Sequence, residues 1–363
     1  MKKIIQPEFL IDKEKVLSNI KMMKNKTDKS RIVFRPHFKT HQSREIGRWF
    51  RELEVDRITV SSLRMAEYFA DDEWKDITVA FPVNVLEIER INRLAEKITL
   101  NLLVESEETI DILSKKLANP VQAFIKIDVG GNRTGINSKN IEKIQSVYEK
   151  ISRAKKINPA GLLTHAGNTY HAKSKKEIRE IFYKSVEELN SIRAVIDSSC
   201  KISIGDTPAC SLITKFENID EIRPGNFVFY DYMQYKLGSS KLNQIAAIMI
   251  LPVVAKHDER NEVVVYGGAV HLSKESIWEN GKNIFGKVVR LTKSGWDDKV
   301  NYGYVKSVSQ EHGIIKFPHD EFKKVKIGSL LGVIPIHSCL TANLMRKYIT
   351  SAGEQIFSMN ASE

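Results

Sequence analysis

Lys39 is the first residue in the chain whose type and setting suggest chemistry. It lies in Arg35-Pro-His-Phe-Lys-Thr-His41, between His37 and the pair Thr40-His41. An amine among polar and cationic neighbours loses proton affinity, and a lysine with a lowered pKa forms Schiff bases with carbonyl compounds. The same residue also fits a solvated loop, so its meaning depends on what surrounds it.

Four further segments carry reactive or ligand-holding residue types. Asp128-Val-Gly-Gly-Asn-Arg-Thr-Gly has glycines for a tight turn, and its Arg133 is suited to an anionic or phenolic oxygen. His165 precedes Gly167-Asn-Thr-Tyr170. Gly205-Asp-Thr-Pro and Arg223-Pro-Gly-Asn226 combine glycines for close backbone approach with the donors Thr207 and Asn226, a phosphate-binding composition. Asp206 repels a phosphate, so its side chain is expected to turn away or cap a turn. His337-Ser-Cys339 ends the run Leu330–Ile336. If that segment is extended, residues two apart share a face, and His337 and Cys339 can hold one ion. Two protein ligands leave positions for water and substrate, as in catalytic rather than structural sites. Imidazole with thiolate favours zinc, with manganese or magnesium as alternatives. A buried cysteine beside a hydrogen-bonded histidine is the competing structural reading.

The elements that must position these residues are legible as periodicity. Eight short β-branched runs lie at 32–34, 57–60, 77–81, 98–104, 123–129, 161–165, 201–205 and 221–224. Helical patterns separate them; in the stretch 84–96, Val85, Ile88, Ile91 and Leu94 recur at helical spacing. Eight βα units in roughly 220 residues favour a closed (β/α)8 TIM barrel over an open sheet. Lys39 then follows strand one, Arg133 strand five and His165 strand six. The two glycine loops follow strands seven and eight, where barrels commonly bind phosphate. A Schiff-base lysine and a phosphate site on one rim point to pyridoxal 5'-phosphate (PLP).

Beyond Lys236 the texture turns β: two apolar runs flank the polar turn 256–261, and strand-like runs follow near 285–291, 304–308 and 330–336. The fold class is therefore α/β, a (β/α)8 barrel over 13–238 with a mainly β second domain over 239–363, joined by residues 1–12.

Bulk properties restrict the function class. The 363 residues are 42% hydrophobic and 28% charged, an ordinary globular composition. The net charge of +11 is dispersed in mixed-sign helices such as 173–180, which argues against nucleic-acid binding. No apolar run approaches the ~18 residues of a membrane span. Three cysteines, Cys200, Cys210 and Cys339, are too few and too odd in number for a disulfide scaffold. A cytoplasmic protein with reduced thiols is expected.

The ordered motifs resemble the D-serine dehydratase and D-threonine aldolase family, which shares its barrel with alanine racemase. The resemblance runs through 35–41, Asp128-x-Gly-x-x-Arg-x-Gly, His165-Ala-Gly-Asn-Thr-Tyr, Gly205-Asp-Thr-Pro, 223–231, Ser309-Gln-Glu-His-Gly and 335–343. It implies that Lys39 carries PLP, that Gly205, Thr207, Gly225 and Asn226 surround the phosphate, and that Tyr170 lies near the ring and Arg133 beside the Schiff base. His165, Asp206 and Tyr230 belong to the same implied cofactor site. His337 and Cys339 would bind a divalent metal, and His-x-Cys is similar to the zinc-containing dehydratases rather than to aldolases with His-x-Asp. The resemblance further implies a homodimer with its active site at the interface and a D-3-hydroxy amino acid as substrate. D-Serine ammonia-lyase activity is the first expectation. Retro-aldol cleavage of D-threonine, or metal-independent racemisation, stays open.

Overall fold

The computed structural model describes residues 4–361. The chain forms two compact units, one of residues 21–39 and 47–225, the other of residues up to 20, 40–46 and from 226 on.

The first unit is the barrel. Its strands are β1 (Val33–Phe34), β2 (Ile58–Val60), β3 (Asp76–Pro82), β4 (Thr99–Val104), β5 (Val121–Asp128), β6 (Ile157–Thr164), β7 (Lys201–Ile204) and β8 (Glu221–Ile222). All are parallel, in the order β1-β8-β7-β6-β5-β4-β3-β2. The ring closes just past β1, where Phe38 N–H donates to Thr59 O (2.8 Å) and Thr59 N–H to Pro36 O (2.9 Å). Each expected run is a strand, so the eightfold alternation read from the sequence is the barrel.

Local chemistry explains the helices between the strands. Ser62, Ser106, Asn140 and Ser174 each cap a helix by accepting a backbone N–H three residues on. Glu107–Lys116 adds acids in its first turn and lysines in its last, matching the helix dipole. The helix expected from Asn84 starts later, at Ile88. Asn84 accepts from Leu86 N–H, only two residues on, and so closes a tighter 3-10 turn over Val85–Glu87 first.

Part of the barrel interior is ionic. Arg35 reaches Glu221 (2.9 Å) and Asp76 (2.6 Å), Asn101 donates to Asp76 (2.8 Å), and Ser203 donates to Glu221 (2.6 Å). Charges that deep persist only when paired and hydrogen-bonded. Leu103, Phe124 and Leu163 form a buried apolar cluster in the same unit.

The second unit is antiparallel. Ala247–His257 pairs with Glu262–Tyr266 across the expected hairpin, and the path continues through His312–Lys316, Tyr304–Val308, Gly286–Val289 and Leu330–Pro335 back to Ala247–His257. The N-terminal strand Glu8–Ile11 is antiparallel to Ala247–His257 and parallel to Lys347–Thr350. Phe9, Phe229 and Tyr348 pack edge-on at 5.4–6.1 Å. The short segment 40–46 belongs to this unit. Tyr348 Oη donates to His41 O (2.7 Å), and Gln42 Nε2 donates to Asn343 (3.1 Å).

Candidate active site

Lys39 ends the segment that closes the barrel, and its side chain is exposed. Its neighbour Phe38 is fully buried, with Phe50, Phe69 and Trp74 around it at centroid distances of 4.9, 5.0 and 5.1 Å. The turn is thus anchored from below while the amine faces outward. Aromatic packing of this kind restrains a backbone far better than a solvated loop does.

Around the same rim, His165 directly follows β6 and hydrogen-bonds through Nδ1 to Gly205 O. Burial, then the positive charges of Lys39, Arg133 and Lys126, push it down to about 3. The ring is therefore neutral at physiological pH, and with Gly205 O as acceptor its proton sits on Nδ1. Asp128 Oδ1 accepts from Gly130 (3.0 Å) and Gly131 (2.8 Å), which shapes the Arg133 loop. Gly135 closes that loop at φ +110°, where a Cβ would stand 2.8 Å from the Asp128 nitrogen.

The strand-seven loop is where the sequence places a phosphate site. Asp206 does turn away: it caps Thr207–Leu212 by accepting from Ala209 N–H (2.7 Å), and it takes the Thr169 hydroxyl (3.0 Å). Burial pushes its carboxyl up to about 6. The Thr207 Oγ1 is buried without a hydrogen-bond partner, while its N–H lies 3.4 Å from the Tyr170 hydroxyl. A buried hydroxyl with no partner is costly unless a ligand engages it, so the residues present fit a phosphate-bearing cofactor. Gly205 is required by its own neighbour, because a Cβ there would meet Arg223 Cβ at 2.8 Å.

His337 and Cys339 lie in the other unit, in a different local geometry from the one expected. The strand stops at Pro335, and Ser338–Met345 is a helix with His337 as its N-cap residue. The two side chains meet across a strand-to-helix turn, not along an extended face; the imidazole is hydrogen-bonded to the thiol. Burial lowers the His337 pKa, but Cys339, Asp231 and Glu275 outweigh it and carry it to about 9. Thr40 Oγ1 (3.2 Å) and Asn226 Nδ2 (3.4 Å) also approach Cys339 Sγ. Among the described residues no group of three or more His, Cys, Asp or Glu side chains is placed to hold an ion. An adjacent imidazole and thiol nevertheless fit a two-ligand, zinc-type site with open positions.

Asn226 differs from expectation in one respect. Its amide nitrogen is spent on Asp231 (2.6 Å) and Ser338 (3.0 Å), so that donor is committed within the β unit. Tyr230 is fully buried in the same unit at φ 50°. Gly225 is the last residue of the barrel unit. The expected residues thus form two groups. Lys39, Arg133, His165, Tyr170, Gly205, Asp206 and Thr207 ring the barrel mouth; Asn226, His337 and Cys339 cluster with Thr40 and Asp231.

Sequence reading gave no role of their own to Lys126 and Arg223. Lys126 is 5% exposed, and its Nζ donates to Ile127 O (3.1 Å). Burial, with Arg223 and Arg133 nearby, lowers it to about 7. Arg223 donates to Ser203 Oγ (2.6 Å). The signal was a single charge inside the apolar run Ala123-Phe-Ile-Lys-Ile, where the two-residue alternation points it inward.

Comparison with known proteins identifies the family and the fold. Residues 11–233 match the family model described as "Alanine racemase, N-terminal domain", and residues 246–351 match "Putative serine dehydratase domain". A D-serine dehydratase of Dictyostelium discoideum is 30% identical, over 94% of this chain and 92% of its own length. The structure of D-threo-3-hydroxyaspartate dehydratase from Delftia sp. HT23 superposes with a TM-score of 0.90 at 20% identity, covering 99% of both chains. A C-to-A mutant of that enzyme, known in a metal-free form, superposes equally well. D-Threonine aldolase from Filomicrobium marinum gives 0.81 at 18% identity, covering 98% of this chain and 97% of its own. With the barrel model spanning most of the chain and a relative at 30% identity along its whole length, the chain belongs to the D-serine dehydratase family of enzymes, built on the alanine racemase-type barrel.

Proposed function

We propose that this protein is a PLP- and divalent-metal-dependent lyase that converts D-serine to pyruvate and ammonia. The observation that carries the reading is the His337–Cys339 pair, which an amino-acid racemase has no use for, in a chain that also carries the Lys39 barrel mouth. Lys39 would hold PLP covalently, and the Thr207 hydroxyl and the backbone around Gly205 and Gly225 would hold its phosphate. PLP, when bound, supplies an electron sink for the negative charge left at Cα. His337 and Cys339 would hold a divalent ion, zinc by donor type, which supplies Lewis acidity toward a β-hydroxyl.

The chain's own groups do the rest. Lys39 Nζ is the base that takes the Cα proton. The neutral His165 keeps Nδ1–H on Gly205 O and adds no competing charge at the mouth. Arg133 offers hydrogen bonds to an anionic oxygen. The proposal includes a homodimer, which the family resemblance implies, and a cytoplasmic location, which the composition and reduced thiols suggest.

Incubation of the holoenzyme with D-serine, D-threonine and D-threo-3-hydroxyaspartate, assaying 2-oxo acid, glycine and aldehyde separately, tests this reading. Pyruvate from D-serine, lost on chelation or in His337→Ala while the cofactor's visible absorption persists, is the expected result. Glycine and acetaldehyde from D-threonine would establish an aldolase. Full activity without metal would remove the role given to His337 and Cys339.

A further inference from the structure

The outer face of the β unit carries a cationic cavity remote in sequence from every residue assigned above. Cross-strand register places Lys287 opposite Tyr304 and Tyr304 opposite Lys316, so the three form one row across three neighbouring strands. Their chain neighbours Val288, Val305 and Ile315 point inward and are buried, which puts the row on the outside. Lys282, from the hairpin Ile277–Ile284, places its Nζ 4.1 Å from the Tyr304 ring centre. The cavity between them has a volume of about 310 Å³ and is completed by Asn301 and by the apolar wall of Phe317. Gly303 allows the close strand approach that forms this wall, since a Cβ there would lie 2.8 Å from Lys316 O and 2.9 Å from the Phe317 ring.

Three lysines line this cavity and no carboxylate does. The acids that touch the lysines are not part of its lining and are shared with further cations. Glu279 holds Lys287 (2.9 Å) but also Lys236 (2.8 Å). Glu262 is 4.0 Å from Lys316 but closer to Lys306 (2.8 Å) and Arg260 (3.2 Å). Lys316 Nζ also donates to Arg260 O. The carboxylates therefore fix the lysines in position without cancelling their charge, and each ammonium, with three N–H donors, keeps at least one for a ligand. A volume at the low end of the small-molecule range, with an aromatic wall and converging cations, suits a phosphate attached to a flat apolar group.

The geometry points to a second ligand site here, for a small organic phosphate of nucleotide type, distinct from the cofactor phosphate at the barrel mouth. It is independent of the reaction assigned above. The test is calorimetric titration of the PLP-loaded enzyme, whose own phosphate site is filled, with ADP and separately with inorganic phosphate. ADP is expected to bind with a Kd of about 0.1–1 mM at low ionic strength, at least about tenfold tighter than inorganic phosphate, and to weaken with added salt. Lys282→Ala/Lys316→Ala should weaken ADP by about tenfold or more. If that double variant misfolds, the exposed Lys282→Ala alone should still reduce affinity several-fold. No binding of ADP at millimolar concentration, equal affinity for inorganic phosphate, or affinity unchanged in the variants overturns the proposal.

Discussion

Replacing Phe38 by alanine tests whether Lys39 owes its placement to the packing beneath it. Phe38 is fully buried, with three aromatic rings within 5.1 Å, and its ring also lies 3.3 Å from where a Cβ on Gly47 would be. Nothing can collapse easily into a space walled by rings, so truncation combines lost transfer energy with a residual cavity. Phe→Ala in such a site costs about 3–5 kcal/mol. For a unit of this size that corresponds to a fall in Tm of about 6–20 °C, at about 2–4 °C per kcal/mol. Phe38→Leu keeps most of the volume and should cost about 1–2 kcal/mol. Differential scanning calorimetry on cofactor-free protein measures the packing, since bound ligand would raise Tm by mass action. PLP affinity in the same variants then measures the anchor, and Phe38→Ala should bind PLP more weakly than Phe38→Leu. A Tm loss under about 3 °C in Phe38→Ala, with PLP affinity unchanged, would refute the argument: the lysine would then be held by its hydrogen bonds alone.

Further perturbations separate folding from ligand binding. Thr207→Val removes a buried hydroxyl that has no partner in the protein; cofactor-free Tm should hold or rise, while the PLP Kd increases about tenfold to a hundredfold for one lost bond to a charged group. A lowered cofactor-free Tm would show that the hydroxyl already has a protein partner. Gly161→Ala would set a Cβ 2.1 Å from Lys201 O at φ +141°, and soluble, normally melting protein would contradict the β6–β7 approach. Acidification from pH 6 to 5 should lower stability by about 1.4 kcal/mol. His41 and His165, both held near 3 by burial, are neutral when folded and charged when unfolded, so each makes stability fall with pH; Asp206, raised to about 6, opposes one of them. His41→Gln should flatten that slope in urea titrations across the interval, and an unchanged slope would show that His41 is not the group being protonated.

All eight barrel strands were legible because each βα unit repeats two local signals, a β-branched run and a capped amphipathic helix. Parallel order and closure then follow from the short connections. The β unit was legible to the level of its hairpin. The strand at the N-terminus, and the placement of 40–46 with the β unit, depend on pairings such as Phe9 with Met249 and Gln42 with Asn343, which span hundreds of residues and leave no local trace.

The site divides along the same line. Residue type and position at strand ends singled out Lys39, Arg133, His165, Asp206 and Thr207, because a barrel collects its strand ends on one rim whatever their spacing in sequence. The His-x-Cys pair was also visible, but its geometry was not: Ser338 accepts helical dihedrals and makes a strand-to-helix turn of what alternation alone would draw as a face. Tertiary structure alone showed that the Asn226 amide is committed to Asp231 and that burial, with two arginines nearby, lowers the Lys126 pKa. Hydrogen-bond partners and dielectric surroundings are set by which segments meet, and a linear pattern carries no record of that meeting.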